Sequence, residues 1–152
     1  MKNYLNLIVL LIILFTPFYS FADGNWSFTK EADYCYIYAK PIKTIIPEGK
    51  SRGEHEVIVY RMNNSTNMIV QVNAGFNYKS SDSIKVFIDD GDYMFFTDAD
   101  SAWTDEDKKV IFAMKKGLEF VTSAISSKGT EVVDTYSLKG FTAAFNKLND
   151  NC

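Results

Sequence analysis

Hydrophobic and polar positions alternate most legibly near the end of the chain. Thr130, Val132, Asp134, Tyr136 and Leu138 fall on one side of an extended segment, and Glu131, Val133, Thr135 and Ser137 on the other. The period then lengthens. Leu138, Phe141, Ala144, Phe145 and Leu148 recur at spacings of three and four, the stripe of a short helix that needs a sheet to cover. Ser137 or Lys139 opens this helix, and Gly140 in its first turn weakens it by roughly 1 kcal/mol relative to Ala. Upstream, Met68, Val70, Val72 and Ala74 face inward against Ile69, Gln71 and Asn73, which predicts a half-buried strand over 67–74.

The same reading predicts strands over 24–30, 34–38, 56–62, 83–89, 92–97, 118–125 and 130–138. Asp90-Gly91 predicts a type I′ hairpin between the strands over 83–89 and 92–97. A helix over 105–116 follows, with Thr104 and Asp107 as a variant capping box, Val110, Ile111 and Met114 on its inner face and Gly117 as its stop. Asp105, Glu106 and Asp107 in the first turn and Lys115 and Lys116 in the last follow the order that the helix dipole favours. After Pro41 the pattern breaks, leaving an irregular loop over 42–53. About eight antiparallel strands and two short helices, the second C-terminal, make the fold mainly β. The expected architecture is a two-layer β-sandwich, a single domain over 23–152.

Residues 1–22 change the picture of where this domain works. Lys2, the apolar run from Leu5 to Phe18, and the small residues Ser20 and Ala22 fit a secretory leader cut after Ala22. The run is shorter than the roughly 20 residues that a spanning helix needs. The expected location is therefore the periplasm or beyond. Cys35 and Cys152, near opposite ends of the exported chain, are expected to pair with each other; the alternatives are two free thiols or a bridge between molecules. The formal net charge is −3 and becomes one unit more negative when Lys2 is lost, so nucleic acid is an unsuitable partner.

Candidate chemistry is sparse. Gly49-Lys50-Ser51-Arg52-Gly53 has the glycine-serine-glycine spacing of a nucleophile elbow, but no strand leads into it, no helix follows, and the only histidine, His55, lies four residues on. The segment also resembles the end of a P-loop, yet Thr44 stands where the leading glycine belongs. Eight carboxylates lie between Asp89 and Asp107 without the spacing of a calcium loop. Two of them could in principle serve a sugar hydrolase, though nothing in the order selects a pair. A zinc site lacks its histidines and its Cys-x-x-Cys. No metal or cofactor is expected. Two tryptophans, nine tyrosines and twelve phenylalanines read mainly as core, with Trp103, set before a helix cap in an acidic loop, as an exposed anchor.

Several of these residues together resemble one family. Trp26, Cys35, Ser51-Arg52-Gly53, Ile88-Asp89, Ala102-Trp103, Met114-Lys115-Lys116-Gly117, Ser127-Lys128-Gly129-Thr130 and above all Asp134-Thr135-Tyr136-Ser137-Leu138-Lys139-Gly140-Phe141-Thr142-Ala143-Ala144 are similar to the invasion-associated locus B family of Gram-negative envelope proteins. The resemblance implies an envelope-associated, β-rich protein, linked in some relatives to host-cell invasion, and brings no catalytic residues. The resulting expectation is a non-catalytic interaction module contacting an envelope protein or surface component through the loops 42–53 and 98–107, with Arg52, Asp98, Asp100 and Trp103 as contact candidates. The alternative is an envelope sugar- or peptide-binding protein, or a hydrolase, using carboxylates of the 89–107 segment. Attachment to a membrane is expected to be peripheral at most, because strands of five to eight residues fall short of the about 9 to 11 that cross a bilayer.

Overall fold

The structure, a computed structural model, describes residues 25–79 and 83–152. The expected leader lies outside them. Ten strands run in chain order: β1 (Trp26–Lys30), β2 (Tyr34–Ala39), β3 (Lys43–Ile45), β4 (Glu56–Met62), β5 (Ile69–Asn73), β6 (Ser83–Ile88), β7 (Gly91–Asp98), β8 (Ser101–Trp103), β9 (Glu119–Ile125) and β10 (Glu131–Ser137). Helix α1 (Asp107–Lys116) joins β8 to β9, and α2 (Phe141–Asn151) follows β10. All neighbours pair antiparallel in one curled, half-barrel sheet of order β1-β2-β4-β5-β8-β7-β6-β9-β10-β3.

This corrects the expected eight-stranded sandwich. The two additional strands, β3 and β8, are three residues long, too short to carry a readable period. β8 is decisive, because it pairs with β5 on one side and β7 on the other. It thereby stitches what would have been two packed sheets into one. The concave side of that sheet carries the core, including Ile37, Val57, Val59, Val70, Val86, Phe95, Phe120 and Tyr136, all fully buried. Both helices close over it. Val110, Ile111 and Met114 of α1, and Phe141 and Leu148 of α2, are the buried faces that the spacing predicted.

Three staples hold α2 in place. Cys35 of β2 and Cys152 at the end of α2 form a disulfide with Cα atoms 5.8 Å apart, as expected from their placement in the chain. The Trp26 indole packs edge-on against Phe141 at 4.8 Å, and its Nε1 donates to the Ser137 carbonyl at 3.0 Å. Three residues after Ser137, Gly140 adopts φ 85° and stands before the helix rather than inside it. The expected cost to the first turn therefore does not arise, since a left-handed position suits glycine. Ser137 accepts a bond from the Lys139 N–H instead of capping the helix.

Local chemistry also shifts two expected turns. The β6–β7 hairpin forms, but Ile88 pairs with Gly91, so its turn residues are Asp89-Asp90 rather than Asp90-Gly91. Asp89 takes the positive φ of 48°, and its carboxylate accepts the backbone N–H groups of Leu118 and Glu119, tying the hairpin to the start of β9. Gly117 ends α1 without a left-handed turn. A Cβ there would lie 2.8 Å from Ile88 and 3.0 Å from Leu138, so close packing explains the glycine. Thr104 accepts the Glu106 N–H, but Asp107 turns away from its own helix to accept the Val70 N–H at 2.7 Å.

Candidate interaction surface

Residues of opposite parity to the core form the outer face of the half-barrel. Cross-strand register assembles them into rows. One row runs Thr29, Tyr36, Tyr60, Ile69. The next runs Ser27, Tyr38, Ile58, Gln71, Trp103, Phe96, Ser83 across seven strands. Tyr34 stands opposite Met62 at the adjoining end. Along β2 the tyrosine rings follow one another at 5.7 Å and 5.8 Å, and Trp103 stacks on Phe96 at 6.3 Å. Tyr34, Met62, Met94 and Phe96 are exposed.

Between β2, β4 and β5 these side chains wall a groove of about 440 Å³. Tyr34, Tyr36 and Tyr60 supply the rings, Ile58 and Met62 the aliphatic surface, and Glu56 and Gln71 the polar end. Its length follows that of β4, seven residues or roughly 20 Å at strand rise. The Gln71 amide donates to Asn73 Oδ1 at 2.6 Å and to Ser101 Oγ at 3.2 Å, which fixes it in the floor. Burial raises the Glu56 carboxyl above the usual carboxylate range, an effect that nearby Lys40 partly opposes.

Trp103 belongs to this face. It sits in β8 rather than in an acidic loop, half-buried against Phe96 and level with Gln71. Alternation in the other strands was legible, but the position that joins the two halves of the row was not, because β8 is too short to carry a period.

Arg52 occupies a different place. Its guanidinium forks onto Asp134 of β10, with Nη1 2.7 Å from Oδ2 and Nη2 bonded to Oδ1, and both side chains are only 5% exposed. Nη1 also donates to the Ala74 carbonyl at 3.1 Å and Nη2 to Thr44 Oγ1 at 3.1 Å, while Thr44 Oγ1 donates to Asp134 at 2.6 Å. One buried ion pair thus joins β3, the loop before β4, the end of β5 and β10. Beside it, Gly53 and Gly75 meet through a backbone hydrogen bond of 2.9 Å. The expected irregular loop over 42–53 is therefore partly strand and pinned at its far end. The signal was present in the sequence: Asp134 lies on the inward stripe with Val132 and Tyr136, where a carboxylate needs a cation. Burial, with Asp134 adding, pushes the hydroxyls of Tyr78 and Tyr136 well above the usual tyrosine range, and the Tyr136 hydroxyl has no partner among the described residues.

The acidic segment is spread among local tasks. Asp89 and Asp107 cap backbone N–H groups as above, Glu106 pairs with Lys109 at 3.0 Å, and Asp100 accepts from Ser101 Oγ at 3.1 Å. Asp98 sits at the end of β7 opposite Ser101, at the turn of the β7–β8 hairpin. Among the described residues no three His, Cys, Asp or Glu side chains are placed to hold a metal ion. His55 Nδ1 donates to the Gly53 carbonyl at 2.9 Å, and no hydrogen bond links it to Ser51.

Comparison with known proteins supports the architecture. The family model for the invasion associated locus B (IalB) protein matches residues 28–149. Comparison with curated protein sequences gave no match. Among solved structures, the crystal structure of invasion associated protein b from Bartonella henselae superposes with a TM-score of 0.59 at 15% sequence identity, covering 82% of this chain and 92% of that one. At that identity the likeness speaks for the fold.

Proposed function

The chain belongs to the invasion associated locus B family, and we propose that it is an exported, non-catalytic binding module whose outer sheet face engages another component of the cell envelope. The observation that carries this reading is the tyrosine groove and the Trp103–Phe96 stack beside it, a continuous aromatic surface with no covering element among the described residues. Contiguous exposed apolar surface of this kind is uncommon on a protein that works alone. The contact candidates thus move from the two loops to the sheet, with Trp103 retained. Arg52 supports the module by holding its scaffold.

Export is supported by the leader-like residues 1–22 and by a disulfide spanning 117 positions, a bond that persists in oxidising compartments. The test is photocrosslinking in intact cells of the native host, with a photoreactive residue at Tyr36 or Trp103 and a control at Phe112 on α1. Reproducible adducts from the first two positions and none from the third are expected. Adducts from Phe112 alone, or recovery of the protein with the cytosol, would refute the reading.

A further inference from the structure

The groove itself carries information about what fills it. Glu56 is the one charged residue in its lining, and no lysine or arginine joins it there. Among the described residues its carboxylate accepts no hydrogen bond. The nearby cation is already taken: Lys40 Nζ lies 2.6 Å from Glu54 Oε2. Beside Glu56, the Gln71 amide spends its N–H groups on Asn73 and Ser101, so what it offers a ligand is a carbonyl oxygen. One end of the groove therefore presents only acceptors, in a partly desolvated setting where Glu56 is half-buried. The remainder is tyrosine ring and aliphatic surface.

Each feature narrows the occupant. Acceptors without a cation disfavour phosphate, carboxylate and acidic peptides, and favour a group rich in N–H donors. Aromatic rings favour a cation, and a planar guanidinium above all, since it stacks on rings and forks onto carboxylates. A length of roughly 20 Å exceeds a single head group and matches about six residues of extended chain. Resting on the reading of the outer face as the binding surface, we propose that this groove binds an extended, basic segment of a protein partner. An arginine of that segment lies between Glu56 and Gln71, and its apolar side chains lie against Tyr34, Tyr60 and Met62.

The experiment titrates the isotopically labelled, disulfide-bonded exported chain with acetyl-Arg-Thr-Leu-Val-Leu-Thr-amide and with the reversed sequence, following backbone amides by NMR. At least one order of residues is expected to shift Tyr36, Ile58 and Tyr60. Replacing arginine by uncharged citrulline, or Glu56→Gln in the protein, is expected to weaken binding about tenfold, the effect of one charge-assisted contact worth about 1.4 kcal/mol. Glu106→Gln leaves affinity unchanged. The spectrum of each variant reports its folding directly.

Two further arms use chitotetraose and phosphatidylcholine vesicles; shifts at the same residues from either, insensitive to Glu56→Gln, would overturn the proposal. So would equal binding of the citrulline peptide. If crosslinks at Tyr36 persist while Glu56→Gln has no effect, the surface stands and the cation fails. If peptides and crosslinks both avoid this face, both readings fail.

Discussion

Substituting Arg52 by Met tests whether a buried charge pair, rather than loop sequence, fixes the segment between β3 and β4. The guanidinium makes two contacts to Asp134, one to Thr44 and one to the Ala74 carbonyl, all in a site where both charged side chains are 5% exposed. In Arg52→Met the carboxylate stays buried with Thr44 as its remaining side-chain donor, a situation that costs about 3 to 5 kcal/mol. With a urea dependence of about 1 to 3 kcal/mol per molar, the unfolding midpoint falls by roughly 2 M. The converse change is milder. In Asp134→Asn the amide still meets Thr44, and Arg52, at the rim of the cavity formed with Lys50, Phe76 and Lys128, can turn its charge toward water, for a loss of about 1 to 3 kcal/mol. Arg52→Met with Asp134→Asn removes both charges, and the loss is smaller than the sum of the singles by at least about 2 kcal/mol. Urea unfolding followed by tryptophan fluorescence measures all three. Additive losses, or a loss under about 1 kcal/mol for Arg52→Met, would refute the reasoning.

Three further outcomes follow from the same structure. Cys35→Ser with Cys152→Ser opens a loop spanning 117 positions, for which the chain-entropy argument gives a loss of about 4 to 5 kcal/mol, read as a lower midpoint in the same titration and a C-terminal helix that exchanges its amides faster. Gly75→Ala places a Cβ 2.5 Å from the Gly53 carbonyl at φ 71°, against backbone that cannot yield, and is expected to cost about 2 to 3 kcal/mol by thermal denaturation. Glu56 has a raised pKa in the folded chain, so the folded state holds its proton more tightly, and its charge opposes folding once pH rises above the unfolded value near 4.5. Glu56→Gln therefore raises the melting temperature at pH 7 and leaves it unchanged near pH 3, where both forms are neutral; equal effects at both pH values would contradict this assignment.

What the sequence could reveal depended on whether a residue's role was set by its neighbours in the chain. The strand over 69–73, both helices and the inner stripe of β10 follow from period alone, since Val70, Val72, Ile111, Met114 and Phe141 all turn inward as their spacing requires. The cysteine pair followed from compartment and placement. The single sheet did not, because its joint is a three-residue strand whose partners lie 30 positions back and immediately before it. The tyrosine groove was hidden for the same reason: Tyr36, Tyr60 and Gln71 alternate correctly in three separate strands, but only register sets them side by side. Arg52 read as a contact candidate in an irregular loop, while its partner Asp134 waited 82 positions away on an inward face.

The claim on which the rest depends is that the outer face of β2, β4 and β5 is covered when the protein is at work. Hydroxyl-radical footprinting compares the side chains of Tyr34, Tyr36 and Tyr60 in intact cells and in the purified protein, with Phe112 of α1 as the internal reference. Protection of the three tyrosines in cells, with Phe112 equally reactive in both settings, is the predicted result. Equal reactivity of all four residues in both settings would contradict it.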